Sequence, residues 1–186
     1  MGSRSASSTF TALPGAALPR FFCVSPVSLD IVIRAQRPDH PQVVAVLRAL
    51  DAYLAGLYEP EANHILSPAE LLTPDVSFFA AWQADRVVGT GAVRQMPGEF
   101  DTAGEHYGEV KRMYVDPQMR GVRIGSRLVA ALEESMHSRG LALALLETGA
   151  DQLEAVRLYE RCGYTRRGPF GGYPDNGLSL FFHKRL

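Results

Sequence analysis

The chain has 186 residues, enough for one domain with a sizeable core. It is 46% hydrophobic and 21% charged with a formal net charge of −1, a globular balance that leaves no basic footprint for nucleic acid or an anionic membrane surface. No apolar run is long enough to span a bilayer, and the two cysteines, Cys23 and Cys162, are too few for a disulfide framework and favour a reducing, cytoplasmic setting.

Residues 1–28 are rich in Ser, Ala and Pro and lack a basic segment joined to a sustained apolar core. They read as a flexible extension rather than a signal peptide, ahead of a single domain over 29–186. "LDIVIR" (29–34) alternates as a strand does. A helix follows, with Asp39 placed to cap it, Gln42 three residues on, and Val43, Val46, Leu47, Leu50, Leu54 and Leu57 at helical period. Ser67-Pro68-Ala69-Glu70 is a second capping box, opening a short helix through Leu72.

"VSFFAAWQ" (76–83) and "RVVGTGAVRQ" (86–95) form an antiparallel hairpin turning at Ala84-Asp85. The polar connection 96–108 leads to a strand at 109–115, a turn at 116–125 and a helix ending at Gly140. "LALALLET" (141–148) reads as a central strand buried on both faces. Asp151 and Glu154 make a third capping box, for a helix ending at Gly163, and "GLSLFFHKRL" closes on a strand. Strand, two helices, three strands, helix, strand, helix, strand is the order of an α/β fold with a mixed sheet.

"VKRMYVDPQMRGVRIGSRL" (110–128) places Gly121 and Gly125 with Arg120, Arg123 and Arg127 where a strand gives way to a helix. Such a turn can hold an anion on its backbone N–H groups, or be a plain turn with solvated arginines. Gly121 and Gly125 have the wrong spacing for a nucleoside-triphosphate loop and no lysine follows. Gly89-Thr90-Gly91 lies inside a strand and has Arg94 where a dinucleotide fingerprint needs glycine.

Arg120-Gly121-Val122-Arg123-Ile124-Gly125 resembles the acyl-CoA pyrophosphate loop of the GNAT superfamily of N-acetyltransferases, Gln/Arg-x-x-Gly-x-Gly/Ala, with Arg123 replacing the middle glycine. That replacement is tolerable where the residue keeps a negative φ. "EAVRLYERCGY" (154–164) is similar to the family's later Ala-x-x-Leu-Tyr-x-x-x-Gly-Phe motif, with Gln152 where many members have Asn. The closing "GPFGGYPDNGLSLFFHKRL" resembles a bacterial subgroup with a Phe-Gly-x-Tyr…Ser-Leu pattern.

The resemblance implies a mixed, mostly antiparallel sheet of six to seven strands flanked by about four helices. It implies acetyl-CoA as co-substrate, held by Arg120, Gly121, Val122, Arg123, Ile124, Gly125, Ser126 and Gln152, with the backbone of Met113, Tyr114 and Val115 along the pantetheine arm. Near Met113 a backbone N–H would face the thioester carbonyl. Glu109, eleven residues before Arg120, matches the general base of some members, and Tyr159 matches the tyrosine near the CoA sulfur. The acceptor is expected to be a small-molecule amine, met by Tyr58, Glu59, Glu61 and His64 on one side and Phe170 and Tyr173 on the other. His64 and His106 have no partner at metal-ligand spacing, so no metal is expected. A homodimer is expected from the apolar "LSLFF" strand. A non-catalytic acyl-CoA sensor and a protein acetyltransferase are the alternative readings.

Overall fold

The computed structural model describes residues 30–58 and 65–186, and its order is β1 (Ile31–Ala35), α1 (Pro41–Ala55), β2 (Val76–Gln83), β3 (Arg86–Met96), β4 (Tyr107–Val115), α2 (Ile124–Ser138), β5 (Leu143–Gly149), α3 (Leu153–Arg161), β6 (Thr165–Arg167) and β7 (Ser179–Arg185). The strands form one seven-stranded sheet in the order β1-β2-β3-β4-β5-β7-β6. Every neighbouring pair is antiparallel except β4 and β5. This is the mixed, mostly antiparallel α/β sheet expected from the sequence, with three α-helices; the helix expected at Ser67–Leu72 is a single 3-10 turn, Glu70–Leu72.

Alternation along the strands sends successive side chains to opposite faces. Val43 and Leu47 of α1 pack with Phe78, Ala80, Trp82 and Ala92 on one face. Ile124 and Leu128 of α2 pack with Ala81 and Val88 on the other. Further along α2, Leu132 and Met136 join Val156 and Tyr159 of α3 over Val93, Val110, Leu146 and Phe182. Each such fully buried aliphatic side chain is worth about 1.5–3 kcal/mol of transfer free energy.

Several local expectations change. His40, not Asp39, caps α1, accepting from Gln42 N at 3.3 Å, while Asp39 is taken by the nearby Arg37. Gln42 instead clamps the β2–β3 hairpin: its Nε2 donates to the Asp85 carbonyl at 2.8 Å and its Oε1 accepts from Val87 N at 2.9 Å. The Ser67–Glu70 box does form, with Ser67 N donating to Glu70 Oε2 at 2.8 Å and Glu70 N to Ser67 Oγ at 3.3 Å. Asp151 does not cap α3; Gln152 occupies that position without a side-chain bond, and Glu154 pairs with Arg120.

β6 was not expected, and it changes the setting of the C-terminal strand. β7 lies between β5 and β6 with Phe181 and Phe182 buried, so the "LSLFF" segment is not an apolar edge awaiting a partner. Residues 1–28 lie outside the described residues.

Candidate active site

β4 and β5 pair only at Gly108–Ala144, Glu109–Leu145 and Val110–Leu146. Beyond that point β4 stays on β3 to Val115 and β5 stays on β7 to Gly149, so the two strands part and leave a gap between them. The parting coincides with a bulge. The β3–β4 register passes from Ala92–Lys111 to Thr90–Tyr114, and Arg112 holds a left-handed φ of 55°. A left-handed non-glycine residue persists only where its surroundings fix it. Here Arg112 is anchored at both ends. Its Nη1 donates to Asp51 Oδ1 of α1 at 2.6 Å, and its carbonyl accepts from Thr90 Oγ1 at 3.1 Å.

At the end of β4 the chain makes a 3-10 turn, Pro117–Met119, capped by Asp116, and then enters α2. Gly121 has φ 89° and Arg123 φ 62°. The condition of a negative φ at Arg123 is therefore not met; arginine occupies the conformation for which the family pattern uses glycine, at a cost of about 1–2 kcal/mol. Among the described residues none accepts a hydrogen bond from the backbone N–H of Gly121, Val122, Arg123, Ile124, Gly125 or Ser126. A row of unspent donors at the N-terminus of a 15-residue helix carries partial positive charge. Gly125 serves packing: a Cβ there would meet Leu158 Cδ2 at 3.0 Å, so its lack of a side chain lets α2 and α3 approach.

The turn, the parting strands and α3 enclose a cleft of about 970 Å³. Its lining brings together Met113, Tyr114, Val115, Arg120, Gly121, Arg123, Ile124, Gly125, Ser126, Gln152 and Tyr159 from the residues singled out in the sequence. Val122 belongs to the turn but does not line the cleft; it is 39% exposed. Arg161 adds a third guanidinium, and the Arg120–Glu154 ion pair joins the turn to the first residues of α3. Tyr159 is buried, edge-on to Tyr164 at 5.8 Å, and burial pushes its phenol well above the usual tyrosine range. The proton therefore stays on its oxygen across the neutral range. Burial also raises the Cys162 thiol, beside Ser126. Gln152 stands next to the Tyr58 hydroxyl at the end of β5, where a Cβ on Gly149 would strike that oxygen at 1.9 Å.

Glu109 does not line this cleft. Its carboxylate is on the opposite, α1 side of β4, 7% exposed, where Oε1 accepts from Tyr173 at 2.6 Å and pairs with Lys111 Nζ at 3.2 Å. Lys111 also donates to the Tyr173 hydroxyl at 2.5 Å. Phe170, expected at the acceptor pocket, is core: 1% exposed and edge-on to Tyr107 at 5.7 Å and Phe181 at 5.9 Å. Glu59, Glu61 and His64 lie outside the described residues, and His106 is exposed.

Sequence reasoning did not identify Thr90, Lys111, Arg112 or Asp51. One signal was present: the apolar residues Val110 and Met113 are three apart rather than two, which marks a break in strand alternation at Lys111–Arg112. Among the described residues no group of three or more His, Cys, Asp or Glu side chains is placed to hold a metal ion, and no helix is long and apolar enough to cross a membrane.

The family model for acetyltransferases (GNAT) matches residues 43–164. An IAA acetyltransferase of Azospirillum brasilense is 42% identical over 157 residues, covering 84% of this chain and 99% of that protein. A Klebsiella pneumoniae structure described as an acyl-CoA N-acyltransferase is 34% identical with TM-score 0.66, over 84% of this chain and 97% of that one. The PaiA N-acetyltransferase of Thermoplasma acidophilum, solved with coenzyme A, shares the fold at TM-score 0.65 and 19% identity, over 84% of this chain and 99% of that one. The chain belongs to the GNAT acetyltransferase family and is an acetyl-CoA-dependent acyltransferase.

Proposed function

We propose that this GNAT enzyme moves an acetyl group from acetyl-CoA to the primary amine of a small molecule, by direct attack with both substrates bound. The observation that carries the reading is the row of unspent backbone N–H groups from Gly121 to Ser126 at the mouth of the cleft. A pyrophosphate fits such a row, because its oxygens accept several hydrogen bonds and its charge suits the helix N-terminus. The rest of the cleft fits the same molecule. Its volume of about 970 Å³ is at the upper end of ligand pockets, its mouth carries Arg120, Arg123 and Arg161, and the gap between β4 and β5 leaves strand backbone unpaired.

When bound, acetyl-CoA supplies a thioester, an acyl group already activated toward an amine. The chain's own residues do the rest. The backbone from Met113 to Val115 orients the arm, and the Met113 N–H faces the carbonyl oxygen. Tyr159 gives its proton to the departing sulfur. Burial keeps the phenol protonated, so a proton is at hand as the sulfur leaves, and the same low-dielectric surroundings disfavour a bare thiolate there. Glu109 lies across β4 from the cleft, so its part as base requires the acceptor amine to approach from the α1 side; there it takes a proton from the ammonium through water, held in place by Tyr173 and Lys111. Holding donor and acceptor together supplies much of the rate in such a transfer.

The C-terminal Phe170-Gly171…Tyr173…Ser179-Leu180 pattern, which resembles that of a bacterial subgroup, contributes Tyr173 to this side of the sheet. IAA, named for the Azospirillum relative, belongs on the acceptor panel beside amino acids, polyamines, aminoglycosides and peptides. The domain over 29–186, a cytoplasmic setting and a homodimer complete the proposal, and molecular mass in solution at micromolar concentration tests the last. The function is tested by acetyl-CoA titration with heat unfolding as readout, alongside thiol release across the panel. Stabilisation by acetyl-CoA with amine-dependent thiol release is expected; stabilisation without release would point to the non-catalytic sensor.

A further inference from the structure

We propose that Thr90 is a positioning residue for acyl transfer: its buried hydroxyl fixes the peptide between Arg112 and Met113 so that the Met113 N–H points into the gap between β4 and β5. This rests on the acetyl-CoA reading above. Thr90 is on β3 and fully buried, and its Oγ1 donates to the Arg112 carbonyl at 3.1 Å. The register pairs Ala92 with Lys111 and Thr90 with Tyr114, so the ladder itself assigns Arg112 and Met113 no partner on β3. The threonine side chain therefore does what a strand neighbour ordinarily does.

The consequence follows from peptide geometry. In a planar trans peptide the C=O of one residue and the N–H of the next point in opposite directions. β3 and β5 flank β4 on its two sides. A carbonyl of Arg112 held toward β3 turns the N–H of Met113 toward β5, and there β5 has stopped pairing after Leu146. A donor fixed in advance at the place where negative charge develops is worth far more than one that must reorient. The left-handed φ of Arg112 makes that peptide strained and prone to relax, and Thr90, with Asp51 on the guanidinium, is what opposes relaxation. Neither Thr90 nor Arg112 lines the cleft, so neither touches the substrate; both act through the backbone.

Thr90→Val keeps the shape and removes the donor, while Thr90→Ser keeps the donor. The decisive readout is the infrared carbonyl band of acetyl-CoA labelled at the thioester carbon and bound to each protein, which needs no acceptor. In the wild type and Thr90→Ser the band is expected at lower frequency than in free acetyl-CoA. In Thr90→Val it should return toward the free position, with the heat stabilisation by acetyl-CoA retained. With an accepted amine, kcat should fall ~10–100-fold in Thr90→Val, less than the ~10²–10³-fold for deleting an oxyanion donor outright, with KM for acetyl-CoA little changed and Ser restoring kcat. A Thr90→Val band identical to wild type, or a rate loss matched by lost acetyl-CoA binding or not restored by Ser, overturns the proposal. A wild type that neither binds acetyl-CoA nor shifts the band overturns the acetyl-CoA reading itself, and the role of Thr90 falls with it. Should Thr90→Val not fold, Thr90→Ala and Thr90→Ser carry the same comparison.

Discussion

The hydroxyl of Tyr173 donates to Glu109 Oε1 across 2.6 Å, tying the loop between β6 and β7 to β4. Burial and the neighbouring carboxylate push the phenol far above its ordinary range. Burial does the same to Tyr107, Tyr159 and Tyr164.

These tyrosines predict a steep alkaline limit. Their folded pKa values lie above the unfolded value near ~10, so above that pH the unfolded chain binds fewer protons than the folded one and stability falls as pH rises. Each such group contributes a slope of up to about 1.4 kcal/mol per pH unit. Urea unfolding between pH 9 and about 11 checks this, and Tyr173→Phe is expected to flatten the slope by one proton. A slope unchanged by that substitution contradicts the burial assigned to this hydroxyl.

Arg123 predicts opposite effects on stability and on binding. Its φ of 62° costs an arginine what glycine does not pay. Arg123→Gly should leave the apoprotein as stable or up to about 1 kcal/mol more stable, the relief being offset by the entropy of a new glycine. The same change removes a cation from the cleft mouth, so acetyl-CoA should bind more weakly, and less so as salt is raised. Loss of stability would mean that the arginine side chain supports the turn.

Much of the fold was legible because hydrophobic period reports burial directly. The run 141–148 read as a doubly covered strand, and β5 over Leu143–Gly149 is buried on both faces. The turn at 120–126 was legible because it is continuous in sequence. What escaped was set by tertiary partners. Glu154 has the spacing of a cap but is drawn to Arg120, and Gln42 leaves its own helix for the hairpin. Three-residue β6 carries too little pattern to register. Thr90 and Arg112 are 22 residues apart and met only when β3 and β4 paired. The left-handed φ of Arg123 was not legible because a residue's identity sets a preference for φ, while the turn sets the value.

Gly125 predicts a coupling between two helices. Its missing Cβ faces Leu158 at 3.0–3.3 Å, so Gly125→Val should cost about 1–3 kcal/mol through overpacking. Gly125→Val with Leu158→Ala should recover part of that loss, giving a coupling of at least about 0.5 kcal/mol in a double-mutant cycle by urea unfolding. Simple additivity would show that the glycine is required by the turn and not by the packing of α2 on α3.

The central claim is that this cleft performs acetyl transfer with Tyr159 as the acid. It is tested most directly by the rate of thiol release from acetyl-CoA, in the presence of an accepted amine, for the wild type and Tyr159→Phe. The ring fills the same space between Tyr164 and Phe182, so packing and acetyl-CoA affinity should persist while kcat drops ~10²–10³-fold. Wild-type turnover with that drop at unchanged affinity is the predicted result. Equal turnover in the two proteins, or no thiol release by the wild type with any acceptor on the panel, would contradict it.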